Sequence, residues 1–173
     1  MSTSADDELY TGLILLSGVD KPGIAASLFE ALSPFAVTVV DIEQVVVKDR
    51  LILTVLIALN PAHESAIAAD LESCASTFGV DIATLFSYED KSALSTKSNL
   101  VQVQISSKKL NPKAIFELAA SVSQRGANIE RVTRLASDPL TVIEFLISGA
   151  TKETLSQAIS PIALSNSAEI AVQ

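Results

Sequence analysis

Apolar positions take on a helical period shortly after the first extended segment of the chain. A strand is predicted over Tyr10–Ser17, a turn over Gly18–Gly23 and a helix from about Ile24. Within that helix Ile24, Leu28 and Leu32 lie four residues apart, which places them on one face. The chain therefore begins with a strand, a glycine-bounded turn and an amphipathic helix.

Two β-rich runs follow, and a second helix and a further strand come after them. Strands are predicted over Val37–Val47 and Leu51–Leu59, joined by a polar hairpin turn over Lys48–Arg50. A helix is predicted over Ala62–Thr77, and a fourth strand over Val80–Phe86. The order βαββαβ is that of the ferredoxin-like unit.

The same order of elements returns in the second half of the chain. A shift of 90 residues aligns Pro22 with Pro112 and Leu28 with Leu118. The second copy is predicted to consist of Leu100–Ser106, Pro112–Gln124, Ala127–Leu135, Leu140–Ser148, a helix from Thr151 to about Leu164, and Ala168–Val172.

The repeat predicts two domains, one over residues 9–89 and one over residues 99–173. Residues 90–98 between them are polar and serine-rich, which is typical of a linker. The expected fold class is α+β, with two ferredoxin-like βαββαβ domains, antiparallel sheets and the helices on one face of each sheet.

Apolar side chains on the second face of the first sheet must also be shielded from water. In Leu51–Leu59 both alternating sets of side chains are apolar, yet two helices cover only one face of a sheet. The second repeat or a second subunit is the expected cover. We therefore expect a homo-oligomer, such as a homodimer, formed through the sheets.

Composition and charge exclude several classes of function. The chain has 173 residues and a formal net charge of −8, which disfavours nucleic acid as a partner. The longest apolar-rich stretch is far shorter than the roughly 20 residues that span a bilayer, so no membrane contact is expected. One cysteine excludes an intramolecular disulfide, and residues 1–8 carry no secretion signal, so we expect a cytoplasmic protein.

The turn over Gly18–Gly23 is the most informative candidate site. A helix that begins there directs unpaired backbone N–H groups at the turn, which suits a small carboxylate. Gly23 allows close approach to the backbone, and Asp20 is able to accept hydrogen bonds from an amino acid's ammonium group. The alternative is structural: Asp20 caps the helix or turn, and Gly23 only permits a tight bend.

Other reactive side chains point to no catalytic site. Cys74 and His63 lie eleven residues apart on the second predicted helix, with no group placed to orient the histidine. We interpret Cys74 as a core residue and His63 as a surface residue at the helix start. Asp41 and Glu43 share a strand face and are assigned to a strand edge or an interface. No metal-ligand spacing is present.

The basic residues cluster only in the second copy's counterpart of the turn. Lys108, Lys109 and Lys113 lie there. A solvated loop explains them, and an anion or an acidic partner domain is the other interpretation.

The motifs taken together resemble tandem ACT domains, which are amino-acid-sensing regulatory modules. The resemblance rests on two βαββαβ units and on Gly18–Gly23 after the first strand. More narrowly, residues 17–24, 28–32 and 41–47 are similar to the N-terminal regulatory half of actinobacterial-type phosphoserine phosphatases.

The resemblance implies an effector, L-serine in particular, bound by Val19, Asp20, Lys21 and Gly23. In the second repeat the shift of 90 places Leu110 and Lys113 at the positions of Asp20 and Gly23, so no equivalent second site is expected. Feedback by L-serine on a phosphatase is the implied regulation.

The resemblance also implies a catalytic domain that follows the second ACT domain. In that family it is of haloacid-dehalogenase type and uses an aspartate nucleophile in a DxDxT motif with Mg²⁺. No DxDxT occurs in this chain, so we expect it to hold no catalytic residue and no cofactor. The alternative is a stand-alone tandem ACT protein, similar to the glycine cleavage repressor group, that acts through protein contacts.

Overall fold

The structure, a computed structural model, describes residues 8–95 and 97–173. Residues 1–7, which the sequence assigns no secretion signal, and residue 96 of the predicted linker lie outside the described part. The backbone contacts divide the chain into two units, of which the first ends at Ser95 and the second reaches Gln173.

The first unit has the predicted βαββαβ order. Its elements are β1 (Glu8–Val19), α1 (Ile24–Leu32), β2 (Thr38–Val47), β3 (Arg50–Ala58), a 3-10 turn (Pro61–His63), α2 (Glu64–Phe78) and β4 (Asp81–Asp90). The four strands form one antiparallel sheet in the order β2-β3-β1-β4. The prediction of a ferredoxin-like unit is confirmed.

Both helices of the first unit pack on the same face of its sheet. Ile24, Leu28 and Leu71 of the helices are buried together with Ile14 and Val55 of the central strands. Fully burying one such side chain contributes roughly 1.5–3 kcal/mol. The four-residue spacing predicted for α1 is the spacing that the core uses.

The second unit repeats this architecture with shorter strands. Its elements are β5 (Val101–Ser107), α3 (Pro112–Ser123), β6 (Asn128–Ala136), β7 (Thr141–Ser148), α4 (Lys152–Asn166) and β8 (Glu169–Val172). The sheet is antiparallel in the order β6-β7-β5-β8, and its core includes Phe145, Leu118 and Leu155.

The strands of the first unit extend further than their hydrophobic pattern predicts. β1 pairs from Glu8, opposite Asp90 of β4, to Val19, opposite Arg50 of β3. Val19 and Gly18, predicted in the turn, therefore belong to the strand. Asp90, predicted as the first linker residue, belongs to β4, because the long β1 supplies it with a pairing partner.

The two sheets differ in the face that carries no helix. In the first unit this face is apolar and exposed: the exposed fractions of Leu15, Ile52 and Leu85 are 44%, 43% and 62%. In the second unit it is polar, where Glu144 accepts hydrogen bonds from the side chains of Gln102 and Gln104. Among the described residues, no helix is both long and apolar enough to cross a membrane.

Candidate functional site

The segment between β1 and α1 is hydrogen-bonded to the turn of the β2–β3 hairpin. The backbone N–H of Asp20 donates a hydrogen bond to the carbonyl of Asp49 at 2.7 Å. Asp49 lies between β2 and β3, next to Lys48, whose φ of 57° closes the hairpin turn. The loop and the hairpin therefore form one end of the first sheet.

Gly18 forms a tightly packed base for this loop. It is buried, and a Cβ built on it would lie 2.6 Å from Cγ1 and 3.1 Å from Cβ of Val80. Real Cβ atoms do not approach other atoms so closely, so any side chain at this position would displace β1 from the start of β4. Glycine at position 18 is thus required by packing.

Gly23 is the N-cap of α1, and it contributes no side chain to the helix end. Its φ is +95° and ψ is −13°, a left-handed conformation that favours glycine. Its carbonyl accepts the first helical hydrogen bond, from the N–H of Ser27 at 2.9 Å. No described side chain caps the helix, so the N–H groups of the first turn face the loop with their partial positive charge.

The structure does not support Asp20 as the cap of α1. Asp20 is exposed, and within the described part of the chain its carboxylate forms no hydrogen bond or ion pair. Lys21 is exposed beside it, and Val19 ends β1 with 40% of its surface accessible. The four residues predicted to bind an effector, Val19, Asp20, Lys21 and Gly23, therefore lie together at the end of the first sheet.

The counterpart loop of the second unit is built differently. There the N-cap is Asn111, whose side-chain Oδ1 accepts a hydrogen bond from the N–H of Ala114 at 2.9 Å. α3 begins at Pro112, so Lys113 lies inside the first turn, 3.5 Å from Glu117. Leu110 packs against the second core. The N–H of Ala114 at the start of α3 is therefore bonded to the side chain of the N-cap residue, whereas α1 has no such side chain.

The second unit has a pocket that the sequence did not reveal. It measures about 430 Å³ and is lined by Ser106, Ser107, Lys108, Lys109, Leu140, Asn166, Ser167 and Glu169. These residues come from three separate stretches of the chain, 106–109, 140 and 166–169, and only the cluster of lysines was noticed in the sequence.

The other candidate side chains are not brought together. Cys74 is buried in α2, and burial raises the pKa of its thiol. His63 lies about 16 Å away along the helix axis, at the rise of about 1.5 Å per residue. It is half-buried beside Phe35 rather than on the surface, with a ring separation of 5.8 Å. The Cys74–His63 pair therefore cannot act as nucleophile and base.

Asp41 and Glu43 belong to the edge strand of the first sheet. Oδ1 of Asp41 accepts a hydrogen bond from the N–H of Ile42 at 2.8 Å. The carbonyl of Glu43 accepts one from the hydroxyl of Thr54 at 3.5 Å. These contacts place both residues in the strand structure, as the assignment to a strand edge predicts.

The two largest pKa shifts belong to Tyr10 in the first unit and to Glu130 in the second. The hydrogen bond to Glu64, together with burial, raises the pKa of Tyr10 to about 12. The ammonium of Lys97, 2.7 Å from Glu130, together with hydrogen bonds from Ser148 and Asn128, lowers the pKa of Glu130 to about 2. The causes of both shifts are these hydrogen bonds, the ion pair and burial, and no residue of the β1–α1 loop is among the causes.

Comparison with curated proteins gives two phosphoserine phosphatases. The chain is 34% identical over 173 residues to phosphoserine phosphatase of Streptomyces coelicolor, a match that covers 99% of this chain and 42% of the relative. It is 28% identical over 138 residues to phosphoserine phosphatase SerB2 of Mycobacterium tuberculosis, covering 79% of this chain and 33% of that one. The chain thus spans less than half the length of these relatives.

Solved structures share the fold at low sequence identity. A protein of unknown function from Galdieria sulphuraria superposes with a TM-score of 0.73 at 16% identity, covering 96% of this chain and 98% of that one. A structure whose proposed identity is a glycine cleavage system transcriptional repressor superposes with a TM-score of 0.69 at 12% identity, covering 96% of each chain. At such identities the likeness shows the fold alone.

Family comparison assigns both units to one kind of domain. Residues 11–84 match the ACT domain, and residues 101–173 match the ACT domain a second time. Each match falls within one of the two structural units. The chain is therefore a tandem pair of ACT domains and belongs to the ACT-domain family.

Proposed function

We propose that this chain is the amino-acid-binding regulatory region of a phosphoserine phosphatase in L-serine biosynthesis, and that its effector is L-serine. The observation that carries the proposal is the 34% identity to a phosphoserine phosphatase along 99% of the chain. The uncapped end of α1 beside Asp20 supports the position of the site. We place the protein in the cytoplasm, where a biosynthetic enzyme meets its product.

The β1–α1 loop supplies complementary groups for an amino acid. The carboxylate of the ligand accepts hydrogen bonds from the N–H groups of the first turn of α1, where the helix dipole favours negative charge. Its ammonium donates to the free carboxylate of Asp20. Gly23 leaves the backbone open, since a Cβ there would meet no atom within 4 Å. Val19 and Lys21 flank the ligand.

Regulation follows if L-serine binds one arrangement of the ACT domains more tightly than another. The ligand shifts the equilibrium by no more than its differential affinity for the two arrangements. Couplings of this kind are typically about 1–3 kcal/mol, or roughly 5- to 150-fold in an equilibrium constant. We propose that the shift acts as feedback by the product on the phosphatase.

The phosphatase chemistry belongs to a catalytic domain of haloacid-dehalogenase type beyond this chain, which we propose uses Mg²⁺ and an aspartate nucleophile. Across residues 8–95 and 97–173, no three His, Cys, Asp or Glu side chains are grouped so as to hold a metal ion. We therefore assign no catalytic step to these residues, and their part is to bind the effector.

We also propose that the chain forms a homo-oligomer through the helix-free face of the first sheet. Leu15, Ile52 and Leu85 leave an apolar surface there, and contiguous apolar surfaces mark interaction sites. Sedimentation analysis of Leu85→Asp tests this, with Leu164→Asp as control, because Leu164 is an exposed leucine on α4. The proposal requires dissociation of the first variant alone, and unchanged association of both contradicts it.

Thermal unfolding of the 173-residue chain tests the effector. L-serine, D-serine, glycine and L-phosphoserine are added separately to the wild type, to Asp20→Ala and to Asp70→Ala. Asp70 is an exposed carboxylate on α2 and serves as the matched control. Ligand at about 100 times its dissociation constant stabilises a fold by roughly 2.7 kcal/mol, which raises the midpoint by at least about 5 °C.

The expected result is a rise with L-serine that Asp70→Ala keeps and Asp20→Ala loses. An equal response of both variants contradicts the assignment of the site to Asp20. A response to glycine and D-serine equal to that with L-serine contradicts the proposed specificity.

The reading frame distinguishes the proposal from the stand-alone repressor-like protein. Continuation beyond residue 173 into a DxDxT motif supports the regulatory region of a phosphatase. A stop codon at that position, together with no response to L-serine, favours a protein that acts through contacts with other proteins.

A further inference from the structure

The pocket of the second unit lies where three stretches of the chain meet at one end of its sheet. Ser106 and Ser107 come from the end of β5, and Lys108 and Lys109 follow them. The other lining residues come from the β6–β7 connection, from the end of α4 and from the start of β8; they are Leu140, Asn166, Ser167 and Glu169. Its volume of about 430 Å³ suits a small molecule, since ligand pockets measure about 300–1,000 Å³.

The charges around the pocket are of both signs and are not paired with one another. Lys108 and Lys109 form no ion pair with any described residue, and neither does the carboxylate of Glu169. The loop is held by the hydroxyl of Ser107, which donates to the carbonyl of Lys109 at 3.2 Å. In contrast, Lys113 has a partner in Glu117 at 3.5 Å. The pocket therefore offers two free cations and one free anion.

The end of α4 adds negative potential on the side of Glu169. α4 ends at Asn166, and Ser167 follows in a left-handed conformation with φ of 51°. The C-terminal end of a helix carries a partial negative charge that favours a cation. The side-chain amide of Asn166 is already committed to Glu117 at 2.6 Å and to the carbonyl of Ile162 at 2.9 Å. One wall thus attracts an ammonium group, and the lysine wall attracts anions.

An anion in this pocket meets the lysines, because the residues that line the pocket include none from the start of α3. Asn111 occupies the N–H of Ala114 at the start of α3. The start of α3 therefore has fewer free N–H groups than the start of α1, where free helical N–H groups are proposed to hold a carboxylate. Two lysines on one wall offer room for two anionic groups, whereas L-serine carries one.

We propose that the second ACT domain binds, in this pocket, an amino acid whose side chain carries a second anionic group, a phosphate or a carboxylate. The two anionic groups of the ligand meet Lys108 and Lys109, and its ammonium meets Glu169 and the end of α4. Charge-assisted hydrogen bonds of this kind are roughly twice as strong as neutral ones. This site is independent of the effector site proposed at Asp20.

Calorimetric titration of the 173-residue chain with L-phosphoserine and with L-aspartate tests the proposal. L-serine, phosphoethanolamine and inorganic phosphate are the comparison ligands: L-serine lacks the second anionic group, phosphoethanolamine lacks the carboxylate, and phosphate lacks both the carboxylate and the ammonium. Lys109→Gln and Glu169→Gln are expected to weaken binding of the anionic amino acid about tenfold or more. Lys152→Gln is the matched control, since Lys152 begins α4, about 20 Å from its other end.

The expected result is saturable binding of at least one of the two anionic amino acids, weakened to that extent in both pocket variants and unchanged in Lys152→Gln and Asp20→Ala. If inorganic phosphate binds as tightly as the anionic amino acids, and Glu169→Gln does not weaken their binding, the proposal is overturned in favour of a nonspecific anion site. No binding of either amino acid also overturns it. Loss of binding in Asp20→Ala alone would assign the ligand to the first loop instead, so failure here is distinct from failure of the L-serine proposal.

Discussion

Asn111 closes the start of α3 by accepting a hydrogen bond from the N–H of Ala114 at 2.9 Å. At the start of α1 the same position is held by Gly23, which has no side chain to do so. Two helices of the same fold thus differ in the availability of their N-terminal N–H groups. This difference is why we place the L-serine site in the first unit and a different ligand in the second.

Removal of the Asn111 side chain is expected to destabilise the second unit. Asn111→Ala leaves the N–H of Ala114 without its acceptor, and loss of an N-cap typically costs about 1 kcal/mol. Urea unfolding followed by circular dichroism measures the loss. Ser98→Ala, at an exposed position outside the helices and strands, is the control. A stability equal to wild type would contradict the capping role.

Gly18→Ala is expected to destabilise the first unit through a steric conflict with Val80. The new Cβ would lie 2.6 Å from Cγ1 of Val80, and overpacking of this kind costs about 1–3 kcal/mol. Both tyrosines lie in β1 and β4 of the first unit, so tyrosine fluorescence reports its unfolding.

The double variant Gly18→Ala/Val80→Ala tests whether the clash with Val80 causes the loss of stability. In a Val80→Ala background the space beside Gly18 is larger, so the additional cost of Gly18→Ala is expected to fall. An equal cost in both backgrounds would show that the clash with Val80 is not responsible.

Glu130 is expected to make the stability of the second unit depend on acid pH. Lys97, Ser148 and Asn128 lower its pKa to about 2 in the folded chain, against about 4.3 for an unfolded glutamate. A lowered pKa means that the ionised group stabilises the fold above about pH 4.3, and that this contribution disappears as the pH falls toward 2.

Glu130→Gln therefore should be less stable than wild type at pH 7 and similar to it at pH 2. Urea unfolding at pH 7, 4.5, 3 and 2 follows the difference, with Glu153→Gln, in the first turn of α4, as control. A difference that is independent of pH would show that the charge of Glu130 does not contribute.

Cys74 is expected to react slowly with thiol reagents in the folded protein. Its side chain is buried, and burial raises the pKa of the thiol, so little reactive thiolate is exposed. The control carries Ser73→Cys with Cys74→Ser, which moves the thiol to the exposed neighbouring position. Equal reaction rates of the two proteins would contradict the burial of Cys74.

The order of the elements could be predicted because buried side chains recur at the spacing of a helix or of a strand along the chain. Ile24, Leu28 and Leu32 are spaced by one helical turn, and all three are buried. Strand ends were less predictable: Val19 and Asp90 extend their strands only because Arg50 and Glu8 lie opposite them. Such partners are distant in sequence, so no local pattern reveals them.

The candidate site was predictable where it depends on local backbone chemistry. Gly23 was predicted to leave the backbone accessible or to permit a tight bend, and its φ of +95° is a conformation that favours glycine. The closed start of α3 was missed, since the shift of 90 compares Gly23 with Lys113, whereas the cap is Asn111. The pocket beside Lys109 was missed because Glu169 reaches it only through the pairing of β8 with β5.

Nuclear magnetic resonance of the ¹⁵N-labelled chain titrated with L-serine tests the central claim most directly, because each backbone N–H is observed separately. The account predicts that the amide signals of Ile24, Ala25 and Ala26, at the open start of α1, shift saturably. The amide of Ala114, held by Asn111, should stay unchanged. Shifts at Ala114 without shifts at Ile24–Ala26, or no shifts at all, would contradict the L-serine site at the first loop.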